Sequence, residues 1–365
     1  LRAPGIIDPT DHDQAKYPLH HTIIIQIQTM EEPQMKPSLR SDNRRNFIAA
    51  GAGLGAGLML PGLAAAQPVS LPKTIRIVVP FSPGASNDLF ARALAQRLGP
   101  KLGLNAIVEN KPGAGGRIGA ELVARGETDG SVLLFSSNSF TTGAALTPKL
   151  PYDMEKSFAP VALMARSPMI LLVAANSPLK NVADVVAAAR RDGPKMTFGS
   201  SGVGGLNHMA TELFQYVAKI DTTHVPYKGM AGAVTDLIAG NIQYLISTSA
   251  SAGAQVRNGQ LRALGVSSTD RSRFMPELPP IAETLPGYGI EGWWGVYAPG
   301  GTPAPIVATL NKVIREVNRE PEIEQLLARE TAVSSEMDPA AFRKFYLDEL
   351  NQWKKLVAER NLMGK

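Results

Sequence analysis

The stretch IRIVVPFSPGASNDLFAR, residues 75–92, constrains the fold more than any other part of the chain. Its β-branched run, Ile75, Ile77, Val78 and Val79, predicts a buried strand. Pro80 stops that strand, because proline has no N–H to give a sheet ladder. A tight turn of Ser82, Pro83, Gly84 and Ala85 follows. Ser86, Asn87 or Asp88 is then placed to cap a helix carrying Phe90, Leu94 and Leu98 on one face. A strand that turns directly into a helix aims the helix's first N–H groups, and the positive end of its dipole, at one spot. Such a spot suits an anion. A second small-residue turn, NKPGAGGRIG at residues 110–119, lies close behind. The first turn is read as half of a cleft for a small carboxylate.

Beyond it, strands and helices alternate, which predicts an α/β class with mostly parallel pairing. Strands are expected at residues 106–109, 131–136, 169–174, 196–199, 222–225, 242–246, 261–267 and 292–299. Helices are expected at 116–125, 182–191 and 233–239, with one on Met209, Leu213 and Val217 and one between the strands at 242–246 and 261–267. Three more close the chain, at 305–317, 321–329 and 339–360, the first capped by Thr302 ahead of Pro303. Ser137, Asn138 and Ser139 read as a polar strand exit, and the Pro-rich stretch 271–286 as a surface connection. The string SSGVGG at 200–205 repeats the logic of the opening unit: strand, small turn, helix start. Two such units imply two facing lobes, with crossings near Ser167 and Trp293. Lobe 1 is then 67–167 plus 293–365, and lobe 2 is 168–292.

The first 66 residues read as a leader. Met35 is a plausible start; Arg44 and Arg45 precede an apolar Gly/Ala-rich run over 47–63; Ala64, Ala65 and Ala66 fit a cleavage site. An exported protein beginning at Gln67 is expected, in the periplasm, by either the general secretory or the twin-arginine route. With no cysteine, disulfides, thiolate chemistry and Cys–zinc sites are excluded. The net charge of +5 is not gathered into a basic, aromatic-interleaved block, so nucleic acid is not an expected partner.

The familiar catalytic strings are missing. At 113–118 Ile118 stands where G-x-G-x-x-G needs glycine, and no P-loop string exists. His208 and Glu212 share a helix face but lack the second histidine of a zinc-hydrolase helix. Ser200 and Ser201 lie in GSSG rather than G-x-S-x-G, so a hydroxyl there is read as a donor, not a nucleophile. Asp88 has two readings, a helix cap or a cleft residue; His208 is structural or helps neutralise an anion. Trp293 and Trp294 are core residues, with at most one facing the cleft. No cofactor and no metal are expected.

Six strings in order resemble the substrate-binding proteins of tripartite tricarboxylate transporters, the Bug family: PFSPGASND at 80–88 with Ala91 and Arg92; NKPGAGG at 110–116; Tyr152 and Asp153 with FAPV at 158–161; GSSGVGG at 199–205 with His208; Tyr227, Lys228 and Gly229 with Asp236 and Gly240; and Trp294 and Gly295 with Ala298, Pro299, Thr302 and Pro303. The resemblance covers residues 74–365. It implies a two-lobed periplasmic binding fold of type II, with a carboxylate held mainly by backbone and water, delivered by a monomer to membrane permease subunits. Signalling to a sensor kinase, or hydrolysis on a similar scaffold, are the alternatives. The jaws it implies are Phe81, Ser82, Gly84, Ala85, Ser86 and Asp88 on one side, and Ser200, Ser201, Gly202, His208, Tyr227 and Gly229 on the other. Ser137 and Asn138 stand at the third strand's exit. Two departures matter: Ala85 replaces a glycine of the signature, and polar uncharged residues replace acids near Gln243 and over 246–248, which counts against cationic or amino-acid ligands.

Overall fold

The computed structural model describes residues 70–363. The leader, Gln67 and the cleavage site lie outside them. Ten strands form one curled sheet in the order β2-β1-β3-β9-β4-β7-β5-β6, with β8 and β10 also paired to β4. The first parallel group is β1 (Thr74–Val79), β2 (Asn105–Asn110) and β3 (Val132–Ser137). The second is β5 (Thr197–Ser200), β6 (Thr223–Pro226) and β7 (Tyr244–Thr248). Between them run two antiparallel strands, β4 (Phe158–Ala174) and β9 (Glu291–Pro299). β8 (Leu261–Val266) and β10 (Val333–Ser334) are both antiparallel to β4.

β4 is where the sequence reading falls short, because it starts the strand at Met169. The strand begins eleven residues earlier, at Phe158. Pro160 and Pro168 hide it, since proline inside a run argues against a strand. Both are accommodated. The register with β9 slips just after Pro160, and Pro168 is the last residue paired with β9 before Met169 takes up β7. The chain therefore changes partner strands at a residue that cannot donate to either ladder. Ser167 stands at this crossing opposite Gly292.

The alternation in β1 places its apolar side chains on both faces. Ile75, Ile77 and Val79 are fully buried against helix α1 (Ser86–Leu102), through Phe90, Leu94 and Leu98, and against α8 (Ala304–Asn318), through Leu310 and Ile314. Val78 faces the other way, into a core holding Phe140, Trp293, Tyr297, Phe342 and Tyr346. Burying a side chain of this size stabilises by about 1.5–3 kcal/mol. That second core continues through Phe198, Phe214 and Tyr244, so it runs beneath both strand groups. The last helix, α10 (Pro339–Glu359), shares it through Trp353, Leu356 and Val357.

Two expected caps are corrected. The N-cap of α1 is Ala85, and none of Ser86, Asn87 or Asp88 occupies it. The N-cap of α8 is Pro303, while the Thr302 hydroxyl donates back to the Pro299 carbonyl at 2.8 Å. A short helix, α3 (Ser139–Ala145), begins at the polar exit of β3. The remaining helices fall close to their expected places: α2 (Arg117–Ala124), α4 (Val182–Asp192), α5 (Leu206–Ala218), α6 (Met230–Ala239), α7 (Ser249–Arg257) and α9 (Pro321–Arg329). Among the described residues no helix is long and apolar enough to cross a membrane.

Candidate functional site: a cleft between two strand–turn–helix units

The two turns marked out by the sequence open on one cleft of about 300 Å³. The β1–α1 turn contributes Ala85, Ser86 and Asn87; the β5–α5 turn contributes Ser201, Leu206 and Asn207. Ser137, Asn138 and Ser139 come from the end of β3, Thr248 from the end of β7, and Ser167 and Gly292 from the crossing. Trp293, Trp294 and Glu330 complete the wall. No lysine, arginine or histidine lines it among the described residues. The wall is therefore built from hydroxyls, amides, helix starts and a single carboxylate.

The first unit is braced by Asp88. Its carboxylate accepts from Gly84 N–H at 3.0 Å, from Arg92 Nε at 3.0 Å and from Asn110 Nδ2 at 2.9 Å. Asn110 also donates to the Phe81 carbonyl at 3.1 Å, which fixes the other arm of the turn. Gly84 has φ 91°, a conformation that glycine adopts without strain. The Arg92 guanidinium, with these other donors, holds the Asp88 carboxyl down at about 2. Asp88 is thus a brace behind the turn rather than part of the cleft wall. The N–H groups of Ser86 and Asn87 open the helix and have no acceptor within it, so they are available to a ligand. Asn87 donates its Nδ2 to Ser137 Oγ at 3.3 Å, and its buried Oδ1 has no partner.

The second unit is braced by serine, histidine and asparagine side chains. Ser200 Oγ lies 2.7 Å from His224 Nε2 and accepts from Gly202 N–H at 3.1 Å. His208 Nδ1 accepts from Gly204 N–H at 3.2 Å, and its ring stacks on His224 with centroids 4.1 Å apart. Ser201 Oγ donates to Asn207 Oδ1 at 3.1 Å, and Asn207 Nδ2 donates to the Ile246 carbonyl at 2.9 Å. Tyr227 N–H donates to the Ser200 carbonyl, and its hydroxyl donates to Asp236 at 2.6 Å.

Behind the cleft floor, Asn138 is fully committed to structure. Its Nδ2 donates to the Glu291 carbonyl and to Glu349, each at 2.9 Å, and its Oδ1 accepts from Trp293 N–H at 2.7 Å. Glu349 also accepts from Thr141 Oγ1 at 2.5 Å and from Trp293 Nε1 at 3.0 Å. Burial without a cation pushes the Glu349 carboxyl up to about 7.

Of the residues singled out from sequence, Ala85, Ser86, Ser137, Asn138 and Ser201 line the cleft. Gly84, Asp88, Ser200 and His208 brace the turns from behind. Phe81 packs on the core, Ser82 is exposed, Gly202 has φ 131°, and Tyr227 and Gly229 flank the second turn, with Gly229 as the N-cap of α6. Both tryptophans touch the cleft, although Trp293 is fully buried and Trp294 packs edge-on to Phe90 at 4.8 Å. The reading missed Asn87, Ser139, Ser167, Asn207, Thr248 and Glu330. Asn87 and Asn207 had a signal: each is the second residue of its helix, at the same place in the repeated unit. Glu330 had none, because it follows α9, far from every turn motif.

This architecture is the two-lobed periplasmic binding protein fold of type II, and its cleft lies between the two strand–turn–helix units. Residues 90–362 match the tripartite tricarboxylate transporter family receptor, and the chain belongs to that family. BugT of Bordetella pertussis is 33% identical over 307 residues, covering 83% of this chain and 93% of that protein. A solved structure of R. palustris Rpa4515 with adipate has TM-score 0.67 at 30% identity, covering 81% of this chain and 99% of that one. MatC from Rhodopseudomonas palustris with bound malate has TM-score 0.65 at 29% identity, covering 78% and 98%.

Proposed function

We propose that the protein captures a small carboxylate in this cleft, outside the cytoplasm, and hands it to a tripartite tricarboxylate-type membrane permease. It acts as a binding protein and not as a catalyst. One observation carries the reading. Two helix starts, with hydroxyl and amide side chains, converge on a 300 Å³ cleft that no cationic side chain lines among the described residues. Unpaired N–H groups at a helix start, together with the dipole, hold an anion without a countercharge. Adipate and malate in the solved relatives support the ligand class. The parts that close on the ligand are residues 67–167 with 293–365, and 168–292. The bend lies at β4 and β9, where Ser167 faces Gly292. Arg360 limits that motion, because it follows α10 yet reaches Glu212 of α5 at 2.8 Å.

The test is calorimetry with a panel of small carboxylates, with solution scattering as a second readout. Ala85 is exposed and has extended backbone (φ −84°, ψ 167°), so Ala85→Val is compatible with the fold while adding bulk beside the Ser86 N–H. A hydrogen bond to a charged group is worth about 1.5–3 kcal/mol, so the variant should bind roughly tenfold to a hundredfold more weakly. The bound wild type should be more compact than the free protein. Normal binding by Ala85→Val, or no binding of any carboxylate, would sink the reading.

A further inference from the structure

We infer that Glu330 sets ligand specificity in the cleft, by selecting a carboxylate that also carries a hydrogen-bond donor, a hydroxyl or an ammonium. This rests on the cleft being a carboxylate site and goes on to the remainder of the ligand. Glu330 is the only charged residue on the wall, and no ion pair to it occurs among the described residues. Burial raises the Glu330 carboxyl, and the Ser86 side chain, at the start of the first helix and on the same wall, offsets part of that rise. One serine hydroxyl leaves most of a carboxylate's lone pairs open.

The position of Glu330 is fixed from both sides. Its N–H donates to the Leu327 carbonyl at the end of α9, and its carbonyl accepts from Ser167 Oγ at 2.8 Å. The next residue, Thr331, has φ 50°. That is a costly conformation for a β-branched residue. It is held there as the chain enters β10, which pairs Val333 with Arg166 of β4. The strain therefore sits at the point where the chain places an acid into the cleft. Partial burial already disfavours the charged form of Glu330. A second carboxylate brought against it would add like-charge repulsion, whereas a hydroxyl or ammonium would fill its open lone pairs.

The probes are four- to six-carbon acids in matched sets: the unsubstituted monocarboxylate, the dicarboxylate, and the hydroxy and amino derivatives. They are titrated into wild type, Glu330→Gln and Glu330→Ala. The expected result is that a donor-bearing acid binds wild type roughly tenfold or more tightly than its unsubstituted and dicarboxylate partners. Glu330→Ala should erase that preference. Glu330→Gln separates the two donors: its amide oxygen still accepts from a hydroxyl, but the preference for an ammonium is lost. If an unsubstituted acid or a dicarboxylate binds as tightly as its donor-bearing partner, or if Glu330→Ala keeps the preference, the inference is overturned while the carboxylate site stands. If no acid in the panel binds, the carboxylate site itself falls and takes the inference with it.

Discussion

The two units that face the cleft are the same device, built once around an aspartate–arginine pair and once around a histidine–glutamate pair. In each, an asparagine at the second helical position ties the helix to the end of the neighbouring parallel strand: Asn87 to Ser137 of β3, and Asn207 to Ile246 of β7. In each, the third helical residue accepts an N–H from the glycine just before the N-cap: Asp88 from Gly84, and His208 from Gly204. One turn further on, each third residue meets a partner. For Asp88 it is the cation Arg92, at 2.9 Å; for His208 it is the anion Glu212, at 3.6 Å. The ion pair of the first brace closes within one helical turn, and Asn110 at the end of β2 supplies the rest. The second depends on Arg360, which pairs with Glu212 and also reaches Asp221 at 3.1 Å. A turn can thus be held rigid by a local ion pair or by a network that draws in the end of the chain.

The widest difference between the units lies at the strand ends. β3 is backed by Asn138 and the buried acid Glu349; the end of β7 carries Thr248 and Ser251, paired through their hydroxyls at 3.0 Å. Glu349 is raised from 4.5 to about 7, so the folded protein keeps a proton that the unfolded chain has lost. The sign follows: this group's stabilisation is full below about pH 4.5 and is lost as pH rises through about 7. The change is of order 3 kcal/mol. Urea unfolding at pH 5 and pH 8 should show it in the wild type, with Glu349→Gln flat over the same window. An equal slope in the variant would mean that Glu349 is not the group responsible.

Asp88 carries the next largest effect, with the opposite sign. Its carboxyl is lowered from 3.8 to about 2, so its contribution is present above pH 3.8 and is lost as pH falls through 2. Arg92 is half exposed, so after solvent screening about 1–2 kcal/mol is at stake. Acid unfolding of Asp88→Asn should therefore begin from a lower stability and show a shallower decline below pH 4. A variant that tracks the wild type throughout would show that Arg92, which is half exposed, screens the pair to nothing.

The same contrast decides what could be read from sequence. Asp88 and Arg92 are four residues apart, a helical spacing that the sequence carries, but Asp88 was read as a cap or a cleft residue and the structure makes it a brace. The parallel strands were legible because short β-branched apolar runs such as that of β1 mark strands buried on both faces. The first half of β4 was hidden by Pro160 and Pro168, which only the slipped register and the change of partner strand accommodate. Glu330 and Arg360 were illegible for a different reason. Each reaches its place through sheet and helix packing across more than a hundred residues of chain, as from Arg360 to Glu212, and no local pattern records that.

His208 carries the smallest effect and tests the comparison most directly. If it is the counterpart of Asp88 in the second unit, its main task is to accept the Gly204 N–H. Its ring also stacks on His224, which in turn holds Ser200. Removing one neutral hydrogen bond costs about 1 kcal/mol, less than an ionised one. His208→Ala should therefore lower stability by about 1 kcal/mol and weaken ligand binding several-fold, through a looser turn at residues 201–205. Glutamine at a third helical position can reach back to such an N–H. His208→Gln should accordingly recover most of the binding, while losing the stacking on His224. If His208→Gln binds no better than His208→Ala, the hydrogen bond to Gly204 is not what holds the second turn, and the likeness between the two braces is one of shape alone.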